Sequence, residues 1–405
     1  MIKRKALFFI ENYDAGGSVS HMYQYAQSFL DCGFEVCLCT NRLTQKTLNE
    51  SQASATINIC LNYNNIFFLS TAYLDRLLFR KPNSRSIFRK IVVRLLMLSS
   101  PLLYAFNSIL FLLIIIKENP WIVAVFNGGY PASQPSVTFA NVASLLGKKH
   151  FMSVVSMPSF KQESFICNPW NHIIDLLVNH SEVKIVTNAN SISESLVKQR
   201  KLIRNKLNTI YAGIDDIHWQ HDRQFPLKTI KIGVISRQDP LKGGIDLIQA
   251  FEFSAKLHPN IELIVGGDGS NYFNLVRTRE ASYFKDKIHL LGNVSEEKKQ
   301  VLEAIDIYVF PSHWEGLPAS ILEAMSASCA IISTNVGGIP EVIRDYENGI
   351  LVPPRSPEKL SAAINTFIEN KELRIKCSRN ARQDYLDRFT SQSMMTRMTH
   401  FIKSL

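Results

Sequence analysis

Short, unbroken apolar runs recur along this chain, and each gives way to a polar or glycine-bearing stretch. The run ALFFIE at 6–11 predicts a buried strand. The loop NYDAGGSVS follows, and HMYQYAQSFLDC at 21–32 predicts a helix that Gly33 closes as its C-cap. FEVCLCT at 34–40 predicts the next strand, so the N-terminal stretch reads as one βαβ unit. Further strands are expected at 55–62, 121–129, 150–157 and 183–188.

A second series starts with a strand at 229–236 and a helix at 244–257. A strand and turn at 261–269 and a strand at 287–294 come next, then a helix at 295–305 with a Ser-x-x-Glu-like start. A strand at 306–312, a helix at 320–328 and a strand ending in a glycine turn at 330–338 complete it. Strands alternating with helices in both halves predict an α/β chain with parallel sheets covered on both faces. The division expected is a first domain over 1–215, a polar linker over 216–228 and a second domain over 229–385. The amphipathic pattern over 378–403 predicts one last helix, whose end, about 386–405, is expected to pack back on the first domain. No internal repeat or low-complexity segment interrupts this order.

Composition adds little until charge is placed. The 405 residues are 46% hydrophobic and 20% charged, which describes globular domains and excludes a disordered chain. The net charge of +10 points to an anionic partner: nucleic acid, a phosphorylated substrate or an acidic lipid surface. Residues 61–100 carry Arg76, Arg80, Lys81, Arg85, Arg89, Lys90 and Arg94 against one acid, Asp75, interleaved with apolar bulk. That mixture suits an anionic membrane surface over 61–117, and a solvated basic face is the plainer alternative. Nucleic acid is not expected, because no reading module or stacking signature is visible. Residues 95–116 hold no charge over 22 positions. A peripheral or half-inserted helix pair, a buried core helix and a true membrane span all fit that length. The seven cysteines form no CxxC pair and no zinc or disulfide framework, so reduced, mostly buried thiols in a cytoplasmic protein are expected. The apolar run near the N-terminus is too short for a signal peptide.

The densest chemistry lies in WEGLPASILEAM, 314–325. Pro318 suits the first turn of a helix, since it has no amide hydrogen to leave unpaired. Glu315 then falls in the loop before the helix and Glu323 in its second turn. The open amides of Ala319, Ser320 and Ile321 form an end that favours phosphate, at the carboxyl edge of a strand. A carboxylate on each side of a bound diphosphate could take hydroxyls of a ribose and a hexose, the order found in a nucleotide-sugar. A helix-start Glu and a snorkelling Glu would make the same pattern without function.

This stretch resembles the E-x7-E motif of the retaining glycosyltransferases of family 4. GVISRQDPLKGG (233–244) is similar to that family's R-x4-K-G element, and LIVGGDGS (263–270) to its V-G-x-G element. The pattern continues through 287–345 and NGILVPP (348–354), and the first glycine-rich loop and helix resemble the family's too. The resemblance implies a GT-B fold, with two Rossmann-like doubly wound domains facing a central cleft. It implies a donor diphosphate contacted by Arg237 and Lys242, and a transferred sugar beside Glu315 and the amides of Gly316 and Leu317. It places the ribose on Glu323, with Ser320 at the helix end and Asn293 near the nucleobase. Gly16 and Gly17 match the first-domain loop that approaches the diphosphate. Glu315, Arg237 and Lys242 are the expected catalytic group, because a departing nucleoside diphosphate gains negative charge that fixed cations stabilise.

One departure stands out. Many members of the family carry a first-domain His near the sugar, and SVVSMPSF at 153–160 has none. His150 sits too early and reads as structural. Asn127, Gly128, Gly129 and Tyr130 follow a strand, where they could line the cleft or make a turn. No acidic cluster suggests a metal, Asp215-Asp216 reads as a turn, and no cofactor is expected beyond the nucleotide-sugar substrate. The expected function is a cytoplasmic transferase at the inner face of the plasma membrane. It would move a UDP- or GDP-linked sugar to a lipid-linked or growing glycan in surface polysaccharide or lipopolysaccharide assembly. A non-catalytic partner of membranes or synthases is the alternative. A nicotinamide-dependent oxidoreductase is disfavoured, since neither Gly16-Gly17 nor Gly266–Gly269 supplies G-x-G-x-x-G.

Overall fold

The computed structural model describes residues 4–13, 17–53, 62–78, 87–131, 133–158, 168–216 and 229–405. They form two compact units, 1–210 with 395–405, and 211–394. The expected linker lies outside the described residues apart from Asp216. That carboxylate is no loose turn residue, because Arg382 grips it at 2.5 and 2.8 Å.

In the first unit the elements run β1 (Lys5–Ile10), α1 (Gly17–Asp31), β2 (Glu35–Thr40), α2 (Arg42–Ala53), β3 (Asn62–Asn65), α3 (Thr71–Leu78), α4 (Ile87–Leu98), α5 (Ser100–Glu118), β4 (Ile122–Gly129), α6 (Gln134–Leu145), β5 (Lys149–Ser156), α7 (Asn168–His180), β6 (Lys184–Thr187), α8 (Asn190–Arg200) and β7 (Leu207–Thr209). The strands make a parallel seven-stranded sheet in the order β3-β2-β1-β4-β5-β6-β7. Apolar residues fill both faces, as the unbroken runs require: Ala6, Leu7, Phe8 and Phe9 of β1 are all inaccessible to solvent. The expected helix at His21 starts earlier, at Gly17, which shortens the loop before it. The strand expected at 55–62 falls outside the described residues except for Asn62, where β3 begins.

The uncharged stretch at 95–116 breaks at Ser99 between α4 and α5. Helix α5 is long and apolar enough to cross a membrane. One stripe of it, Ser100, Leu103, Asn107, Phe111 and Ile115, is nevertheless buried in the first unit. Asn107 fixes it further, accepting from the Leu69 amide at 3.1 Å and donating to the Leu69 carbonyl at 2.6 Å. The opposite flank is exposed, with Leu102 at 74%. Helix α5 is therefore a core helix on one side and an apolar surface on the other.

Glu11, just past β1, is enclosed by hydroxyls. Ser70 and Tyr13 donate to one oxygen and Ser133 to the other. Ser133 is also the N-cap of α6, so this carboxyl ties β1 to the start of α6. Burial raises its pKa against the opposing pull of these donors.

In the second unit the elements are β8 (Ile230–Ile235), α9 (Gly244–Leu257), β9 (Ile261–Gly266), α10 (Tyr272–Glu280), β10 (Ile288–Gly292), α11 (Lys298–Ala304), β11 (Ile307–Phe310), α12 (Ala319–Ser326), β12 (Ala330–Thr334), β13 (Ile350–Val352), α13 (Pro357–Glu369) and α14 (Lys371–Arg388), with α15 (Ser391–Ser404) closing the chain. The parallel sheet has the order β10-β9-β8-β11-β12-β13. Strand order reverses between β8 and β11, and in the first sheet between β1 and β4. Ligands of open α/β sheets bind beyond the carboxyl ends of strands at such a reversal. The single helix expected over 378–403 is two, α14 and α15, interrupted where Ile214 pairs with Thr390. The last turns of α15 belong to the first unit, where Phe401 meets Phe151 edge-on at 5.5 Å.

Among the described residues Cys37, Cys39, Cys329 and Cys377 are buried thiols outside any disulfide, and Cys32 is partly exposed.

Candidate functional site

The two loops at the β8/β11 reversal carry most of the expected site. The loop after β8 holds Arg237 and Lys242, and ends at Gly243 in a left-handed conformation (φ 71°). A Cβ there would stand 2.1 Å from the carbonyl oxygen of Pro311, so only glycine allows the loops to approach this closely. The loop after β11 runs from Pro311 to Pro318, and α12 begins at Ala319, as Pro318 predicted.

The loops are bonded along their length. The His313 amide donates to the Leu241 carbonyl at 2.8 Å, and Ser312 Oγ to the same oxygen at 3.0 Å. Lys242 Nζ reaches Glu315 Oε1 at 2.5 Å, and Ser312 Oγ donates to that oxygen at 2.7 Å. Glu315 is only 9% exposed, so its charge depends on these partners. Lys242 also lies over the Phe310 ring, 5.6 Å from its centre. On the other side, Gly337 and Gly338 after β12 press against the loop, and the Gly338 amide donates to the Gly316 carbonyl at 2.7 Å. Gly316 and Leu317 are buried in this corner.

Glu323, one turn inside α12, pairs with Lys298 of α11 at 2.9 Å. Each glutamate of the motif therefore has its own lysine. At the helix start, Ile321 donates to the Pro318 carbonyl at 3.1 Å, which removes one of the three amides expected to be open. Ala319 and Ser320 remain at the end, with Ser320 half-buried.

Arg237 is placed differently from Lys242. Its side chain is 66% exposed and bonds Asp239 at 2.5 Å. Burial would raise the Asp239 carboxyl, but the Ser270 hydroxyl and the Arg237 guanidinium outweigh it and hold that carboxyl low. Asn293 spends its side chain in a local turn, accepting from the Ser295 amide at 3.1 Å and hydroxyl at 2.6 Å. Nothing described joins it to Glu323. Gly17 is the first residue of α1 in the first unit, and Gly16 lies outside the described residues.

Of the first-domain alternatives, Asn127, Gly128 and Gly129 end β4, and Tyr130 is buried with its hydroxyl on Asp175 at 2.8 Å. Asp175 in turn pairs with Arg200 at 2.9 Å, so this is a structural network. His150 is buried in β5 with Nδ1 on the Lys148 carbonyl, and burial lowers its pKa, as suits a structural histidine. Among the described residues no cluster of three or more His, Cys, Asp or Glu side chains could hold a metal.

Sequence reading missed a clamp. His313 Nε2 and Asp246 Oδ2 stand 2.7 Å apart, both largely buried. Asp246 lies in the first turn of α9, so the pair locks the Lys242 loop to the Glu315 loop independently of the Lys242–Glu315 contact. Replacing Asp246 with alanine is expected to cost about 1–3 kcal/mol, the penalty for stranding a buried partner. A reduced denaturant midpoint at unchanged slope would show it. Only the 67-residue separation hides this pair; an Asp three residues after K-G was the available signal.

Comparison with known proteins fits this geometry. Residues 215–384 match the family model of the glycosyl transferases group 1. Over 198 residues the chain is 27% identical to the phosphatidylinositol N-acetylglucosaminyltransferase gpi3 subunit of Schizosaccharomyces pombe, covering 48% of this chain and 42% of that protein. Among the first curated relatives it matches, the chain spans 31–59% of their own lengths. Its fold is similar to that of Anabaena HepE solved with UDP, at a TM-score of 0.74 and 17% identity over 99% of this chain and all of that one. The lipopolysaccharide outer core galactosyltransferase WaaB is similar at a TM-score of 0.71 and 16% identity, over 99% of both chains. The chain thus has the two Rossmann-like domains of the GT-B glycosyltransferases, and its residues 215–384 carry the glycosyl transferases group 1 pattern.

Proposed function

We propose that this protein is a retaining glycosyltransferase of family 4. It takes a hexose from UDP- or GDP-sugar and transfers it to a lipid-linked or growing glycan. The observation that carries this reading is the pair of lysine–glutamate contacts, Lys242–Glu315 and Lys298–Glu323, set around the open start of α12 at the β8/β11 reversal. A diphosphate at that helix end gains the amide dipoles, and Lys242 and Arg237 supply the cations for the charge that develops as the sugar departs. Glu323 takes the ribose hydroxyls and Glu315 orients the transferred sugar, beside the backbone of Gly316 and Leu317. Asn293 borders the base. With these cations the transfer is metal-independent. The donor phosphate receives the acceptor's proton, so no first-domain histidine is required.

The likeness to WaaB, a lipopolysaccharide outer core galactosyltransferase, supports a place in lipopolysaccharide or related surface polysaccharide assembly, and the UDP held by HepE supports a nucleotide donor. The protein acts at the inner face of the plasma membrane, engaging anionic lipid through 61–117.

UDP or GDP at about 100 times its dissociation constant is expected to add roughly 2.7 kcal/mol of stability, or about 5–10 °C in the midpoint of thermal unfolding. The shift should vanish in Glu323→Ala. No shift with any nucleoside diphosphate would sink the donor reading, and a shift with NAD alone would replace it.

A further inference from the structure

The first unit carries a groove that the candidate donor site does not use. It lies between α5, α6 and α7, has a volume of about 640 Å³, and is walled by Ile109, Leu112, Val142, Leu145 and Leu177. That volume falls within the range of about 300–1,000 Å³ typical of ligand pockets. Leu145 is 81% exposed and Ile109 62%, a large apolar exposure for one surface.

Most polar groups along the groove are engaged within the protein, the Asn141 Oδ1 acceptor being the exception. The Tyr104 hydroxyl accepts from Asn141 at 3.1 Å, and Ser108 donates to the Tyr104 carbonyl at 2.8 Å. Ser144 accepts from the Glu182 amide at 2.9 Å, and Ser181 donates to the Val178 carbonyl at 2.8 Å. His180 is held through Nδ1 to the Leu176 carbonyl at 2.8 Å. An occupant therefore meets mainly hydrocarbon, which favours an alkyl chain and penalises a polar ligand that would lose its water.

Charge and continuity decide the source of the chain. The apolar surface continues along the outer flank of α5 through Leu102, Phe106, Leu113 and Ile116. The described part of 71–118 has five basic residues, Arg76, Arg89, Lys90, Arg94 and Lys117, against Asp75 and Glu118. Both acids are already paired, with Arg89 at 2.5 Å and Lys5 at 3.0 Å. A hydrocarbon flank on a segment richer in basic than in acidic residues matches an anionic bilayer surface. The groove's α6 wall, from Asn141 to Leu145, stands about 12–18 Å along the helix from Ser133 at 1.5 Å per residue, so it is remote from the carboxyl edge of the sheet. A chain lying there belongs to a lipid of the surface and not to the reacting sugar.

We propose that the α5–α6–α7 groove takes one acyl chain of an anionic phospholipid and so anchors the first unit on the bilayer, an inference that rests on the membrane reading of 61–117. The test uses the full chain and vesicles of phosphatidylglycerol and phosphatidylcholine whose phosphatidylglycerol carries a photoactivatable diazirine on one acyl chain. The protein is expected to sediment with these vesicles, and after illumination the label should map to peptides from 100–118, 134–145 and 168–181. Leu145→Glu and Leu177→Glu each place a carboxylate on the groove's accessible rim, where folding tolerates it. Each should reduce that labelling about tenfold, equivalent to 1.4 kcal/mol, while the UDP-induced thermal shift persists. Sedimentation with label confined to other segments would overturn the groove. Absence of sedimentation would overturn both the groove and the membrane reading, leaving the donor reading to its own thermal-shift test. A dimer in solution that Leu145→Glu dissociates would assign the groove to a second copy of this chain and overturn the lipid.

Discussion

Lys242→Ala is expected to lower the rate of sugar transfer about 10²–10³-fold, the loss typical when one fixed donor to transition-state charge is removed. The lysine is held by the Phe310 ring below it and by the zipped loops around it, so its cation needs little reorganisation at the moment of reaction. Lys242→Arg should not restore the rate, because a planar fork does not fit the place of a compact ammonium. The rate of nucleoside diphosphate release from the donor, followed at saturating donor, checks this. A loss below tenfold in a folded variant would show that Lys242 does not face the developing charge. Arg237→Ala should cost less, since its guanidinium is two-thirds exposed and already engaged by Asp239.

The second large effect concerns stability. Phe9→Ala is expected to cost about 3–5 kcal/mol. Phe9 has no solvent exposure and stacks on Phe139 at 4.5 Å, with Phe111 at 5.2 Å and Phe68 at 5.3 Å around it. These rings join β1 to α6, to α5 and to the segment before α3, so the cavity would open where three elements meet. For a unit of this size the midpoint should fall by about 10 °C, since each kcal/mol moves it roughly 2–4 °C. Calorimetry should find the first unit's transition displaced and the UDP response of the second unit retained. A loss under about 1 kcal/mol would mean that α5 is not packed on the sheet as described.

The second unit was legible because its loops must be made of particular residues. Gly243 accepts a left-handed turn against Pro311, Pro318 ends the loop before α12, and Gly337 lies against the backbone of Glu315. Sterics leave few substitutes at such points, so they survive as readable spacing. Strands with both faces buried were equally plain, since β1 and β4 need apolar residues along most of their length. The region between them was not. Strand β3 is Asn-Tyr-Asn-Asn, which has almost no strand preference and takes its form from pairing with β2. Helix α5 is apolar nearly all round, so its sequence could not say which stripe faces the core; Asn107, bonded to the backbone of Leu69, marks that stripe. The His313–Asp246 clamp was hidden for a different reason, as side-chain contacts between distant segments leave no periodic trace. The open amide assigned to Ile321 was lost because the first turn of α12 tightens onto Pro318.

The path of the chain through the two units bears on how the protein is made. Met398 and Ile402 of the closing helix are buried in the first unit, and Phe401 caps Phe151 there. The ribosome must therefore deliver all 184 residues of 211–394 before the first unit can finish its core. At about 5–20 residues per second, that is a wait of roughly 10–40 s. Through that interval the nascent first unit would present the apolar surface beside Phe151 uncovered, a target for a chaperone that holds it until the last turns arrive.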